Sequence, residues 1–261
     1  MKSKSTNWSK YYSTISENNL FPDYESKVTF HLYNKFLNSI LMKYLKSKGG
    51  DDSLLVLELG SGIARYSFVI AKQVPCLVVG VDLLGHELIR AEKLFRKFNK
   101  VAMFAVADVT SLPFRDDVFD FVHSQGLYEH FTGDHRRKVL KESVRVLKKG
   151  GLLFFIVPNA LSLWKLMLTI GRFRKHCAFP DEHPLSIKEA VNEVKKECLI
   201  PLKKGGLNLH FYVDIVIGNI NRVLKRFRLS TLSIPKNRIE DYGESLRYML
   251  ARTIYVLARK P

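Results

Sequence analysis

The sequence predicts an α/β fold: an open, mostly parallel sheet of seven strands with helices on both faces. Three observations predict it. Short apolar runs of five or six residues alternate with helical stretches of 10–15 residues from about residue 50 to Pro158, the signature of βαβ units. The runs are apolar almost continuously rather than at every second position, so both faces of the sheet must be covered. The rhythm then breaks, and β-rich segments return only near the C-terminus.

Residues 1–25 are polar with interleaved aromatics (Trp8, Tyr11, Tyr12, Phe21, Tyr24) and read as an irregular arm. Val28, Leu32, Phe36, Ile40, Leu41 and Leu45 recur at helical spacing, and Gly49–Gly50 ends that helix. An arm and helix at 1–49 therefore precede a core at 50–159. Its five apolar runs are Leu54–Leu59, Cys76–Val81, Val101–Val106, Val118–His123 and Leu152–Val157. Helices are expected from the glycines after Leu59 to about Gln73, from Gly85 to about Phe98, and over Asp134–Leu147.

Residues 160–226 read as a helical lid inserted before the last two strands. Ala160–Ile170, Ser186–Leu199 and Tyr212–Lys225 are its helices, and Arg172–Pro184 and Lys203–Leu209 its loops. Phe227–Ile234 and Arg252–Arg259 are the two strands that complete the sheet's edge within 227–261.

Composition narrows the class. Of 261 residues, 46% are apolar and 26% charged, which excludes a disordered, collagen-like or coiled-coil chain. Cys76, Cys177 and Cys198 lie far apart, without C-x-x-C spacing, and fit a reducing, cytoplasmic setting. The first twenty residues lack the apolar run of a secretory signal, and no window is long and apolar enough to span a bilayer. The net charge of +17 bears on partners rather than fold; residues from Leu161 onward hold 19 basic and 9 acidic side chains. Such a surface attracts nucleic acid, an anionic membrane or an acidic small molecule, or serves solubility alone.

The chemistry concentrates at the ends of the expected strands. In LLVLELGSGIARYS a strand ends in Glu58 and enters Gly60-Ser61-Gly62 before a helix begins. Glycines there let the backbone turn tightly and approach a ligand closely. The next strand ends in Asp82, 24 positions after Glu58, where a ribose would meet a carboxylate acceptor. The third ends at Ala107-Asp108, where a carboxylate can accept from an exocyclic adenine amine. A helix cap or a solvated loop explains one such acid. It does not explain three in successive units.

These residues resemble the class I S-adenosylmethionine-dependent methyltransferases, in their small-molecule branch. ELGSGIARYS is similar to that family's first motif, VGVDL to its ribose-binding turn and VADVTSLPF to its adenine-binding turn. FDFVHSQGLYEHF resembles the fourth-strand motif, and LKKGGLLFFIVPN the fifth strand with its preceding Gly-Gly turn. The resemblance covers about residues 50–160 and implies a Rossmann-like sheet with S-adenosyl-L-methionine as cofactor. It implies that Gly60, Ser61 and Gly62 contact the methionine part, with Glu58 orienting the turn. Asp82 would bind the ribose hydroxyls, Leu83 line the adenine, Asp108 and Val109 hold adenine N6 and N1, and Gln125 sit beside the sulfonium. The family's third glycine is Ala64 here, which is expected to cost little room.

A dinucleotide enzyme would need G-x-G-x-x-G, and Arg65 stands at its third glycine. Methyl transfer needs alignment and exclusion of water, and a base only if the acceptor is protonated. Candidates lie in SQGLYEHF: His130 as base, with Tyr128 and Glu129 orienting the acceptor. His176, Cys177 and His183 have no further pair at zinc spacing, so no metal is expected. The apolar cluster Trp164, Leu166, Met167 and Leu168 reads as a packed helix, an acceptor-facing wall or a membrane-surface contact.

The expected acceptor is a small or lipid-like molecule. Methylation of tRNA or rRNA is the alternative suggested by charge, against which DFVHSQG lacks the Asn/Asp-Pro-Pro-aromatic tetrad of base-amine methylation. A non-catalytic cofactor-binding partner subunit is the third reading.

Overall fold

The computed structural model describes residues 28–47, 53–162, 182–207, 221, 224, 226, 230 and 251–261. Helix α1 (Val28–Ser47) leads into β1 (Leu54–Leu59), α2 (Arg65–Gln73), β2 (Cys76–Asp82), α3 (Gly85–Lys97) and β3 (Ala102–Val106). After a long loop come β4 (Phe119–Gln125), a 3₁₀ turn (Tyr128–His130), α4 (Gly133–Val146) and β5 (Leu147–Pro158). Helix α5 (Ile187–Lys196), β6 (Ile200–Leu207) and β7 (Thr253–Arg259) close the described chain.

The seven strands form one sheet in the order β3-β2-β1-β4-β5-β7-β6. β1 to β5 pair in parallel, whereas β7 runs antiparallel to both β5 and β6. Side chains alternate between two buried layers. Leu54, Val56 and Val78 face a core built with Leu37 and Leu41 of α1, Phe68 of α2 and Phe95 of α3. Leu57, Leu59, Val79 and Val81 face the other, with Val139 and Leu140 of α4 and Val191 and Val194 of α5. A strand that is wet on neither face reads as an unbroken apolar run, which is why β1, β2, β4 and β5 were legible; β3, at the sheet edge, is apolar although Met103 and Val106 are exposed.

Helix periodicity accounts for the outer layers. α4 buries Arg136, Val139, Leu140, Ser143 and Val146, a stripe at i, i+3, i+4, i+7 and i+10. α5 starts at a capping box: Ser186 accepts from Glu189 N while the Glu189 carboxylate accepts from Ser186 N.

One expectation is corrected. Lys203–Leu209 was read as a loop, yet Ile200–Leu207 is the outermost strand. Pro201, Lys203, Lys204 and two glycines disguise it, because an edge strand carries such residues to block further pairing. Gly205 is required there: a Cβ would stand 2.5 Å from the Tyr255 ring opposite. Phe227–Ile234, expected to supply a strand, lies outside the described residues except for Ser230, as do the arm and most of the proposed lid.

Candidate active site

At the centre of the sheet β1 is flanked by β2 on one side and β4 on the other. The chain leaves their carboxyl ends in opposite directions, which opens a crevice at the point where strand order reverses. Gly60 and Gly62 turn the chain with φ of 62° and 49°. A Cβ on Gly60 would stand 2.8 Å from Leu127 Cδ1, so the glycine loop and the turn after β4 meet in van der Waals contact.

Asp82 ties the loop to β2. Its Oδ2 accepts from Gly62 N at 2.8 Å and its Oδ1 from Leu84 N at 2.9 Å. Burial raises its carboxyl above the usual range. Ser61 N adds a bond to Val81 O at 3.0 Å, but the Ser61 hydroxyl turns down against Gly80. Between these anchors Leu83 stays 53% exposed, an apolar surface on the rim.

After β3, Asp108 Oδ1 accepts from both the amide and the hydroxyl of Thr110 at 2.8 Å, with Val109 buried beside it. That loop is held from below. Arg145 donates to the carbonyls of Leu112 and Phe114 and pairs with Glu142, which accepts from Leu112 N.

Glu58 is placed differently from a ligand-facing residue. It is buried, and its Oε2 accepts from Ser67 N in the first turn of α2 at 3.1 Å. Ser67 Oγ lies 2.9 Å from Nε2 of His123, the β4 residue paired with Glu58. Burial pushes Glu58 up to about 7 and His123 down to about 3, so the ring is neutral. Glu58 therefore fixes the start of α2, just after the glycine loop.

The three residues of the 3₁₀ turn after β4 differ in their surroundings. Tyr128 turns into the core: its hydroxyl lies 2.8 Å from Ser143 Oγ and its ring packs on Phe155. His130 is half-buried, its amide donating to Leu127 O. Glu129 is 3% exposed, with Oε1 3.8 Å from where a Cβ on Gly126 would stand. Burial, reinforced by nearby Glu182, pushes its carboxyl up to about 8.

Among the described residues, four buried side-chain atoms lack a hydrogen-bond partner: Ser61 Oγ, Ser124 Oγ, Gln125 Oε1 and Glu129 Oε2. All four belong to the carboxyl ends of β1 and β4 or the turns that follow. Buried polar atoms are normally paired, so orphans gathered at one crevice mark where a polar ligand belongs. With Asp82, Asp108 and the exposed Leu83, the rim suits a molecule that is polar at one end and carries a flat apolar ring at the other. No three metal-ligating side chains converge among the described residues.

Sequence reasoning missed Ser67, His123, Ser124 and Arg136. Arg136 is buried and donates Nε to Tyr128 O at 3.0 Å and Nη2 to His183 O at 2.9 Å, while His183 N donates to Glu129 O. Its place on the apolar stripe of α4 was the available signal.

Residues 57–155 match the family model described as a methyltransferase domain. The chain is 31% identical over 119 residues to a sarcosine/dimethylglycine N-methyltransferase of Halorhodospira halochloris, covering 45% of this chain and 42% of that one. It is 27% identical over 154 residues to a tRNA (carboxymethyluridine(34)-5-O)-methyltransferase of Arabidopsis thaliana, covering 56% and 36%. The chain thus spans less than half the length of these relatives. The structure of magnesium protoporphyrin IX methyltransferase from Synechocystis PCC 6803 with bound SAH superposes with a TM-score of 0.60 at 12% identity, covering 98% and 95%. Over residues 57–155 the chain is thus a methyltransferase domain of the S-adenosylmethionine-dependent, class I kind.

Proposed function

We propose that this protein transfers a methyl group from S-adenosylmethionine to a small-molecule or lipid-like acceptor in the crevice between β1 and β4. The observation that carries the reading is the clamp of Gly62 on Asp82 at the switch point, with unpartnered Gln125 and Glu129 across from it. Asp82 and Leu83 would hold the ribose and adenine, Asp108 and Val109 the adenine edge, and Gly60 and Gly62 the amino-acid end. The cofactor supplies an activated carbon, to which the acceptor's lone pair bonds as the electron pair of the sulfur–methyl bond stays with sulfur. The protein's part is alignment and exclusion of water. On this reading His130 and Glu129 would serve the acceptor, whereas Tyr128 braces the turn that carries them.

The sarcosine/dimethylglycine relative supports a small acceptor. The tRNA relative and the +17 charge support RNA as the second reading. The test is calorimetry with S-adenosylmethionine on wild type and Asp82→Ala, followed by labelled-methyl transfer into extract separated into RNA, protein, lipid and small metabolites. Label in metabolites or lipid is expected. Label in RNA, with salt-sensitive retention of RNA on the protein, would establish the second reading.

A further inference from the structure

We infer that Glu129 anchors the acceptor, and that the acceptor presents an amine nitrogen to it. The inference rests on the methyltransferase reading and narrows its substrate class. Glu129 is 3% exposed, and its Oε2 has no hydrogen-bond partner. Arg136, whose charge acts on it, directs its donors elsewhere, to Tyr128 O, His183 O and the Glu193 carboxylate. The backbone amide of Glu129 itself bonds to the carboxyl, but a buried oxygen left without a partner is costly, so Oε2 keeps a hydrogen-bonding capacity that nothing in the described chain satisfies.

The surroundings select the donor. His183 N bonds to Glu129 O, which brings the adjoining Glu182 to the same mouth, and Glu182 adds to the negative potential felt by Glu129. Gln125 Oε1 contributes another unpartnered acceptor at the end of β4. In a chain of net charge +17, this corner gathers two carboxyls and an amide oxygen, while Arg136 acts on Glu129 and Arg252 on Glu182. It suits a group rich in N–H donors. A hydroxyl offers one donor; a neutral primary amine offers two and keeps the lone pair that takes the methyl group, its surplus proton leaving to solvent after transfer.

The test uses the full chain. Wild type and Glu129→Gln are given labelled S-adenosylmethionine and cell extract divided by ion exchange into cationic metabolites, neutral and anionic metabolites, lipid and RNA. Label in the cationic fraction is expected. Glu129→Gln should need at least tenfold more of that fraction for half-maximal transfer, with its affinity for S-adenosylmethionine within about threefold of wild type. Cofactor binding with label only elsewhere, or with none in the cationic fraction, overturns the inference and leaves the methyltransferase reading standing. Failure of wild type to bind S-adenosylmethionine overturns that reading itself, and the inference with it. If Glu129→Gln does not fold, the wild-type fractionation still decides, and Glu182→Gln serves as the second variant, with a smaller loss of the same kind expected.

Discussion

The amide of Gly62 donates to Asp82 Oδ2 across 2.8 Å, joining the turn after β1 to the end of β2. Because Oδ1 accepts from Leu84 N, one carboxylate fixes two loops. Asp82→Ala strands both amides, each at about 1–3 kcal/mol if no water replaces the acceptor. The expected outcome is at least tenfold weaker binding of S-adenosylmethionine by calorimetry and about 2 kcal/mol less stability in urea. Asp82→Asn, with one acceptor oxygen left, should fall between. Unchanged affinity in both variants would remove Asp82 from the site.

Ala64 caps α2 in the left-handed region, at φ 52° and ψ 38°, and is fully buried. The expectation that alanine there costs little room leaves out a second cost, backbone strain of about 1–2 kcal/mol. Ala64→Gly relieves the strain but gives up roughly 0.8 kcal/mol of methyl burial, so its stability should lie within about 1 kcal/mol of wild type. Ala64→Val adds a β-branched side chain to both problems and should lose roughly 2–3 kcal/mol. Chemical denaturation of the pair checks the order, and a Val variant as stable as Gly would contradict it.

Four strands, β1, β2, β4 and β5, announced themselves because both faces are largely buried, whereas edge strand β3 did so by its apolar run alone. Asp82 and Asp108 stood out as acids ending successive strands, and the bonds the structure gives them brace their own turns. β6 was missed because its residues alternate nothing: Pro201, Lys203 and Lys204 answer to the exposed edge, and Gly205 to a Tyr255 that is distant in sequence. The Glu58–Ser67–His123 network was invisible for a similar reason, since its three members come from β1, α2 and β4 and meet only by packing. Arg136 sat in DHRRK, which reads as a solvated charge run until the helical stripe is traced through it.

Arg136 links the Glu129 turn to the chain entering α5, and its side chain is 8% exposed. Arg136→Met keeps the bulk but strands two carbonyls and the Glu193 carboxylate, an expected loss of about 3 kcal/mol. Turnover should fall more than cofactor affinity, since the Gly62–Asp82 clamp lies on the other side of the crevice. Parallel calorimetry and transfer assays check this; equal losses in both would mean that the turn and the clamp move as one.

Glu58 and His123 give stability two opposing pH dependences. Glu58 is raised from 4.5 to about 7, so the folded state keeps a proton that the unfolded chain has released. Its contribution is intact below pH 4.5 and is lost as pH rises to 7. His123 is lowered from 6.5 to about 3, so its contribution is intact above 6.5 and is lost as pH falls toward 3. Between 4.5 and 6.5 the two slopes oppose each other. Above 6.5 Glu58 is the one of the two that still titrates, with Glu129 extending the decline to about 8. Glu58→Gln removes one arm and keeps the shape, so its stability relative to wild type should climb from pH 4.5 to 7 by about 3 kcal/mol and then level off. Urea unfolding at pH 4.5, 6, 7 and 8 measures the climb. A difference between variant and wild type that is the same at every pH would mean that Glu58 is not titrating in the folded protein over this range.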